Sequence, residues 1–384
     1  MNKAQELVRN VIACPLPLLR TGSRKLMKYK MYDSDYCFAS FFDSETGAYL
    51  RTGVLDELGR DTGIDPFMAS FPHLIDVGIM GHCLNGQKGY CMQAGVGCYQ
   101  SGGSKSEPNM SLEDFSWIAS QCDGRTNQLA LGGRGDPDQH EDFDQILRIS
   151  RDYNLVPNFT TSGIGMTTDI AKLCKQYCGA VAVSWYRNEF TDRALETLIE
   201  ANVKTNIHYV LGRNSIDEAI ERIENNAFPK GINAVVFLLH KPVGLGTEDN
   251  VLHVGDERVS RFFKLVEQPH CSFKIGFDSC SIPAIISLNI KTIIQALDTC
   301  EGGRFSCYIG PDMYISPCSF DQEKKYGVNL RKTTVEEAWN SNEFNEFRRS
   351  LQDRCPSCPR RVDCMGGCPL MTNIVLCNQK ERMY

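Results

Sequence analysis

Eighteen of the 384 residues are cysteines, and their placement, more than their number, suggests chemistry. Cys83, Cys91 and Cys98 follow one another as Cys-x7-Cys-x6-Cys in a short segment that also holds Gly86, Gly89, Gly95 and Gly97. Three thiolates there can bind a metal cluster, with the glycines letting the backbone turn several sulfurs inward. The spacing matches no common zinc or iron-sulfur pattern, so two readings stand at this point: a metal site, or a glycine-rich loop with incidental cysteines. The second concentration is more specific. Cys355, Cys358, Cys364 and Cys368 form Cys-x2-Cys-x5-Cys-x3-Cys, with Cys377 beyond, an array that points to metal ligation. Cys280, Cys300 and Cys318 bring the candidates in this half to eight, enough for two closed four-thiolate sites of zinc or iron-sulfur type.

The rest of the composition says where such thiols stay reduced. The net charge of -6 is mild and Lys and Arg are spread along the chain, which argues against a nucleic-acid or anionic-membrane surface. No uncharged apolar stretch approaches the length of a membrane span. Lys3, Glu6 and Arg9 precede a short apolar segment broken by Pro15 and Pro17, a poor signal peptide. A soluble cytoplasmic protein is expected, in which metal binding is favoured over disulfides.

A frame must position these residues. Apolar runs at 74–80, 129–131, 156–160, 180–184, 203–211 and 232–239 read as strands alternating with amphipathic helices. Ser111 and Asp114 form a capping signature; Ile170, Leu173, Cys174 and Tyr177 share a helix face, which puts Cys174 in the core. Ser215 and Glu218 are expected to cap a helix with Ile216, Ala219, Ile220 and Ile223 inward. Six such repeats imply an α/β fold with a parallel sheet, either open and doubly wound or barrel-like. In both, ligands bind beyond the carboxyl ends of the strands. The cysteine loop, Gly132-Gly133, Thr161-Ser162-Gly163 and Ser184 all fall there, which favours the metal reading of Cys83, Cys91 and Cys98. Upstream, residues 36–42 and 48–52 flank a turn as an edge hairpin, with a helix, covering the main domain. Past residue 270 the alternation stops. A strand leads into Asp278 and Cys280, a hairpin spans 305–316 with cysteines at its base, and a helix is expected over 335–351.

From about residue 72 onward the chain resembles radical S-adenosylmethionine enzymes with a C-terminal SPASM domain. The resemblance implies an N-terminal extension over 1–70, a partial (β/α)6 TIM-like barrel over 71–270 and a SPASM auxiliary-cluster domain over 271–384. It implies S-adenosyl-L-methionine and three 4Fe-4S clusters as cofactors. Cys83, Cys91 and Cys98 would hold three irons of the first, leaving the fourth open to the amino and carboxylate groups of S-adenosylmethionine, although the family loop is normally the shorter Cys-x3-Cys-x2-Cys. Cys280, Cys300, Cys318 and Cys368 would hold the first auxiliary cluster, and Cys355, Cys358, Cys364 and Cys377 the second. Cys307 competes with Cys280, but its place in mid-strand reads as packing. Gly132-Gly133-Arg134-Gly135-Asp136-Pro137 resembles the family's Gly-Gly-Glu-Pro segment, which contacts the amino group, with Asp136 replacing Glu. Thr161, Ser162 and Ser184 look like the polar strand-end residues near ribose and carboxylate, and Tyr90 or Tyr99 would stack near the adenine. Met313 stands where the family hairpin tends to carry glycine.

The activity so implied is reductive cleavage of S-adenosylmethionine to a 5'-deoxyadenosyl radical that takes hydrogen from a ribosomally made precursor peptide. Crosslinking, thioether formation, epimerisation and backbone excision all remain open. The partners would be the precursor peptide, a flavodoxin- or ferredoxin-type electron donor and a separate leader-binding protein, since no winged-helix module fits residues 1–70. Asp278, Asp321 and His240 are the candidate general bases. Sulfatase-maturing relatives carry aspartate after a hairpin cysteine, where this chain has Ser319, which speaks against that role. The competing class is a zinc-binding or iron-sulfur electron-transfer protein without S-adenosylmethionine chemistry.

Overall fold

In the computed structural model, which describes residues 28–267, 271–291 and 297–377, the chain opens with an antiparallel sheet of β1 (Lys28–Asp33), β2 (Phe38–Asp43) and β3 (Tyr49–Arg51). Its turn is made by Asp43, whose carboxylate accepts the backbone N–H groups of Glu45 at 3.0 Å and Thr46 at 3.4 Å. This is the hairpin expected around 43–47; a helix before it lies outside the described residues.

The main sheet begins with β4 (Leu74–Met80) and continues through β5 (Gln128–Gly133), β6 (Val156–Thr161), β7 (Val181–Ser184), β8 (Thr205–Leu211), β9 (Ala234–Leu239) and β10 (Lys274–Phe277), each parallel to the strand before it. These strands are apolar because both faces are covered. Between β4 and β5 lie two one-turn helices, α1 (Leu84–Gln87) and α2 (Tyr90–Gln93), and then α3 (Leu112–Cys122). Ser111 caps α3 by accepting Asp114 N–H, and Phe115, Ile118, Ala119 and Cys122 face inward. The later crossovers carry α4 (Phe143–Asp152), α5 (Thr168–Tyr177), α6 (Glu189–Glu200), α7 (Ile216–Glu224) and α8 (Glu257–Leu265). Cys174 is fully buried on α5. The strand order follows the sequence without the reversal of a doubly wound sheet, and β10 does not pair with β4. The fold is therefore α/β with a partial TIM-like barrel.

Three local expectations are corrected. Ser215 does not cap α7: its hydroxyl accepts Gly212 N–H at 2.9 Å and donates to Val210 carbonyl at 2.7 Å, while Glu218 is drawn away by Arg187 and Arg222. The helix over 335–351 is two, α10 (Val335–Trp339) and α11 (Asn342–Gln352), because Ser341 starts a new helix by accepting Phe344 N–H. They follow α9 (Ile282–Ser287), and α12 (Arg361–Cys364) comes last. Nor does the sheet end at residue 270. β10 adds a seventh parallel strand, and β11 (Ser306–Ile309) pairs in parallel with the other side of β4, followed by antiparallel β12 (Tyr314–Ser316) and β13 (Val328–Asn329). One ten-stranded sheet thus spans the expected boundary. Met313, in the β11–β12 turn, adopts φ +63°, the left-handed conformation that explains why glycine suits this position.

The N-terminal sheet is fastened to the segment leading into β11. Tyr49 hydroxyl meets His73 Nδ1 at 2.6 Å, and burial holds His73 down at about 4, so the imidazole stays neutral. Arg51 pairs with Asp65 at 2.8 Å and Asp298 at 2.6 Å. Arg304 is fully buried and donates to Thr299 at 2.7 Å and to the carbonyls of Cys300, Pro66 and Phe67. Removing this guanidinium orphans several buried acceptors at once. Arg304→Met is expected to cost about 3 kcal/mol of unfolding free energy, read by urea denaturation; a change below about 0.5 kcal/mol would show that the network is dispensable.

Candidate functional site

The apolar strand β4 delivers the chain to Gly81, and the cysteine loop begins at once. Cys83 is the residue before α1 and its sulfur accepts Gly86 N–H at 3.0 Å. Cys91 lies in α2, and Cys98 sulfur accepts Gly102 N–H at 3.4 Å. Burial pushes the Cys91 thiol up to about 11, with Cys98 and Cys83 among the charges that add to it. Burial likewise raises Cys83, again with Cys98 as a neighbour. The three thiols predicted from sequence are therefore brought together. The loop is clamped from the far side of the barrel: Leu245 N–H bonds Cys98 carbonyl at 2.9 Å, and a Cβ on Gly97 would sit 2.4 Å from Leu245 carbonyl oxygen. Only glycine permits that approach.

Opposite stands the end of β5. Gly133 has φ +116°, and a Cβ there would lie 2.4 Å from Met80 carbonyl oxygen, so a side chain would force β4 and β5 apart. Asp136 is half-buried and accepts from Ser162 N–H at 2.8 Å, from Ser162 hydroxyl and from Asn85 side-chain amide at 2.8 Å. Burial raises its pKa and these hydrogen bonds oppose the rise. Asn85 belongs to α1, between Cys83 and Cys91, so the Asp136 carboxylate joins the cysteine loop to the end of β6. Thr161 is buried with its hydroxyl on Gly163 N–H at 3.0 Å, and Ser184 ends β7. Asp138 is buried beside Thr161; burial and then the charge of Asp136 push it up to about 7.

The tyrosines are placed differently from one another. Tyr90 packs on Phe190 of α6 with ring centroids 5.8 Å apart, whereas Tyr99 stacks on Phe320 at 4.6 Å, next to the C-terminal hairpin. Tyr186, which the sequence did not single out, lies against Cys91, and burial pushes its hydroxyl far up. A cleft of about 70 Å³ lies alongside, lined by Ala94, Gly95, Val96, Trp185, Arg187 and Tyr209 among others. Arg134 was also missed. It binds Glu107 and the carbonyls of Gly81 and Gln100, and so pins the loop after Cys98 to the β5 end.

The C-terminal thiols fall into two groups. Cys280 hydrogen-bonds with Cys368, burial pushes Cys300 up to about 12 with Cys280 as the next cause, and Cys318 is raised by burial and then by Cys300, with Cys280 also contributing. Separately, Cys355 lies among Cys358 and Cys377, and Cys364, pushed up to about 11 by burial, is surrounded by Cys377, Cys358 and Cys355. Met365, Gly366 and Gly367 are three consecutive left-handed residues that turn the chain between Cys364 and Cys368. Cys307 belongs to neither group; it is buried in β11 beside Cys122 and Asp76.

Among the described residues no group of three or more His, Cys, Asp or Glu side chains is placed to hold a single metal ion. The candidate bases are otherwise engaged. Asp278 is ion-paired to Lys241, Asp321 accepts the N–H groups of Lys325 and Tyr326, and His240 bonds Thr247 carbonyl with its pKa lowered by burial.

Residues 300–364 match the SPASM family, an iron-sulfur cluster-binding domain, so Cys300, Cys318, Cys355, Cys358 and Cys364 fall within it. The whole fold is similar to that of SuiB from Streptococcus suis. The crystal structure of SuiB bound to S-adenosylmethionine is 17% identical, covers 78% of this chain and 74% of that chain, and gives a TM-score of 0.60. SuiB bound to its precursor peptide SuiA is 18% identical, with 78% and 72% covered and a TM-score of 0.58. Native anSMEcpe with bound S-adenosylmethionine and the Cp18Cys peptide is 18% identical, with 77% and 89% covered and a TM-score of 0.56. The likeness to these structures is one of fold, and the family match lies in the C-terminal part of the chain. No helix among the described residues is long and apolar enough to cross a membrane.

Asn85→Ala removes the link between the cysteine loop and Asp136. Hydrogen exchange across residues 84–93 is expected to quicken about tenfold, the equivalent of roughly 1.4 kcal/mol, while residues 355–377 stay unchanged. Unaltered exchange in the loop would show that it is held by other contacts.

Proposed function

We propose that the protein is a radical S-adenosylmethionine enzyme that modifies a ribosomally made peptide. The observation that carries this reading is the gathering of Cys83, Cys91 and Cys98 at the carboxyl end of β4, facing Asp136 and Ser162. Three thiolates would hold three irons of a 4Fe-4S cluster, leaving one iron open, which separates a reactive site from a closed structural one. When bound, this cluster supplies the electron that splits S-adenosylmethionine into methionine and a 5'-deoxyadenosyl radical able to take hydrogen from an unactivated carbon.

The chain's own residues bind and orient. Asp136 has about four acceptor positions and uses three on Ser162 and Asn85, so one remains for the ammonium group of S-adenosylmethionine. Thr161, Ser162 and Ser184 offer hydroxyls at successive strand ends for the ribose and carboxylate, and Gly132 and Gly133 keep that approach free of side chains. Tyr90, whose ring packs on Phe190, or Tyr99, whose ring is stacked on Phe320, would lie near the adenine. Cys280, Cys300, Cys318 and Cys368 would hold one auxiliary cluster, and Cys355, Cys358, Cys364 and Cys377 the other. With four thiolates each, both would be closed, which suits electron transfer rather than substrate ligation.

A peptide substrate is supported by the complexes of SuiB with SuiA and of anSMEcpe with Cp18Cys. An electron donor of flavodoxin or ferredoxin type and a separate leader-binding protein would complete this reading. After anaerobic reconstitution the protein is expected to carry about twelve irons, three clusters of four. The triple variant Cys83→Ala, Cys91→Ala, Cys98→Ala should hold about eight and form no 5'-deoxyadenosine with dithionite. Full iron content together with continued 5'-deoxyadenosine formation would overturn the reading.

A further inference from the structure

Lys241 is an ammonium buried where its cost needs explaining. It follows β9, its side chain is 5% exposed, and its Nζ lies 2.6 Å from Asp278 Oδ2 and 2.9 Å from Leu239 carbonyl. It also stands 4.7 Å from the centroid of the Phe320 ring. Desolvating a cation costs several kcal/mol, and an ion pair, one carbonyl and a cation–π contact offset that. What these contacts share is their place in the chain. Asp278 is two residues before Cys280, and Phe320 is two residues after Cys318. Lys241 therefore joins the two segments that carry half of the first auxiliary cysteine group.

We propose that Lys241 sets the reduction potential of the cluster held by Cys280, Cys300, Cys318 and Cys368, keeping it high enough to accept an electron. The inference rests on the assignment of those cysteines to a cluster. A 4Fe-4S core with four thiolates gains one negative charge on one-electron reduction, so a buried cation beside the sulfurs stabilises the reduced state and raises the potential. Asp278 carries the opposite charge and opposes this; the two are in contact at 2.6 Å, while the ammonium also lies over the Phe320 ring, two residues after Cys318. The Asp278 carboxylate, 2.6 Å from Nζ, favours the charged form of the ammonium. Lys241 is a positioning residue in this account and touches no reacting atom. Its neighbour Phe320 stacks on Tyr99, the residue after Cys98, so the tuned cluster adjoins the cysteine loop through two rings.

The test is an anaerobic redox titration followed by electron paramagnetic resonance, in the Cys83→Ala, Cys91→Ala, Cys98→Ala background where the auxiliary clusters alone report. Lys241→Met is expected to keep about eight irons and to lower the midpoint of one cluster, leaving the other as an internal reference. Lys241→Arg should restore it, and Asp278→Asn, which leaves the cation unopposed, should raise it. Midpoints that do not move, or that move the same way in Lys241→Met and Asp278→Asn, overturn the proposal. If Lys241→Met fails to retain iron, the Asp278→Asn shift decides alone: upward supports the proposal, absent or downward overturns it. Cys318→Ala separates the two levels. Retention of full iron by that variant removes the cluster assignment and the inference with it, whereas a cluster that is lost with Cys318 but indifferent to Lys241 removes the inference alone.

Discussion

The parallel pairing of β11 with β4 is the contact on which the rest of the arrangement depends. In register from Ser306 opposite Leu74 to Ile309 opposite Val77, it makes the cysteine-rich C-terminal region a continuation of the barrel sheet rather than an appended module. The strand that launches the Cys83 loop and the strand between Cys300 and Cys318 are hydrogen-bonded neighbours. Parallel pairing at such sequence separation is costly to form, and it is supported on its outer side by Arg304, Arg51 and the ring contacts of Phe305 with Phe38 and His73. The N-terminal sheet thus serves as a brace for this junction.

A second constraint is electrostatic. Gathering thiols in three buried groups raises most of their pKa values, because burial disfavours the thiolate and each neighbour adds to the penalty. Binding a metal at these thiols would release their protons, which would link loading to final packing. The backbone is arranged to help: Gly86 and Gly102 N–H groups point at the sulfurs of Cys83 and Cys98, and Lys241 brings a positive charge to Cys280 and Cys318.

Much of this was legible in the sequence because it depends on local pattern. The run from Leu74 to Met80 has in the fold the bounds that its apolar pattern gives, and the division of the eight C-terminal cysteines comes from the resemblance. What escaped depends on contacts between distant segments. Asn85 looks like any loop amide until Asp136 arrives from the next strand end, and Lys241 looks like a surface charge until β10 brings Asp278 to it. β10 is legible as a strand leading into Cys280, but a four-residue strand followed by cysteines carries no sign of its partner on β9. The failed cap at Ser215 has the same cause, because Glu218 was already committed to Arg187, Arg222 and Trp185.

The central claim is that Cys83, Cys91 and Cys98 leave one iron free to be chelated by S-adenosylmethionine beside Asp136. Electron–nuclear double resonance on the reduced, reconstituted protein with S-adenosylmethionine carrying a 15N-labelled amino group tests it most directly. The account predicts a nitrogen coupling that vanishes when the three cysteines are replaced by alanine. A reduced cluster that shows no such coupling at saturating S-adenosylmethionine, or a coupling that survives the loss of these cysteines, would contradict it.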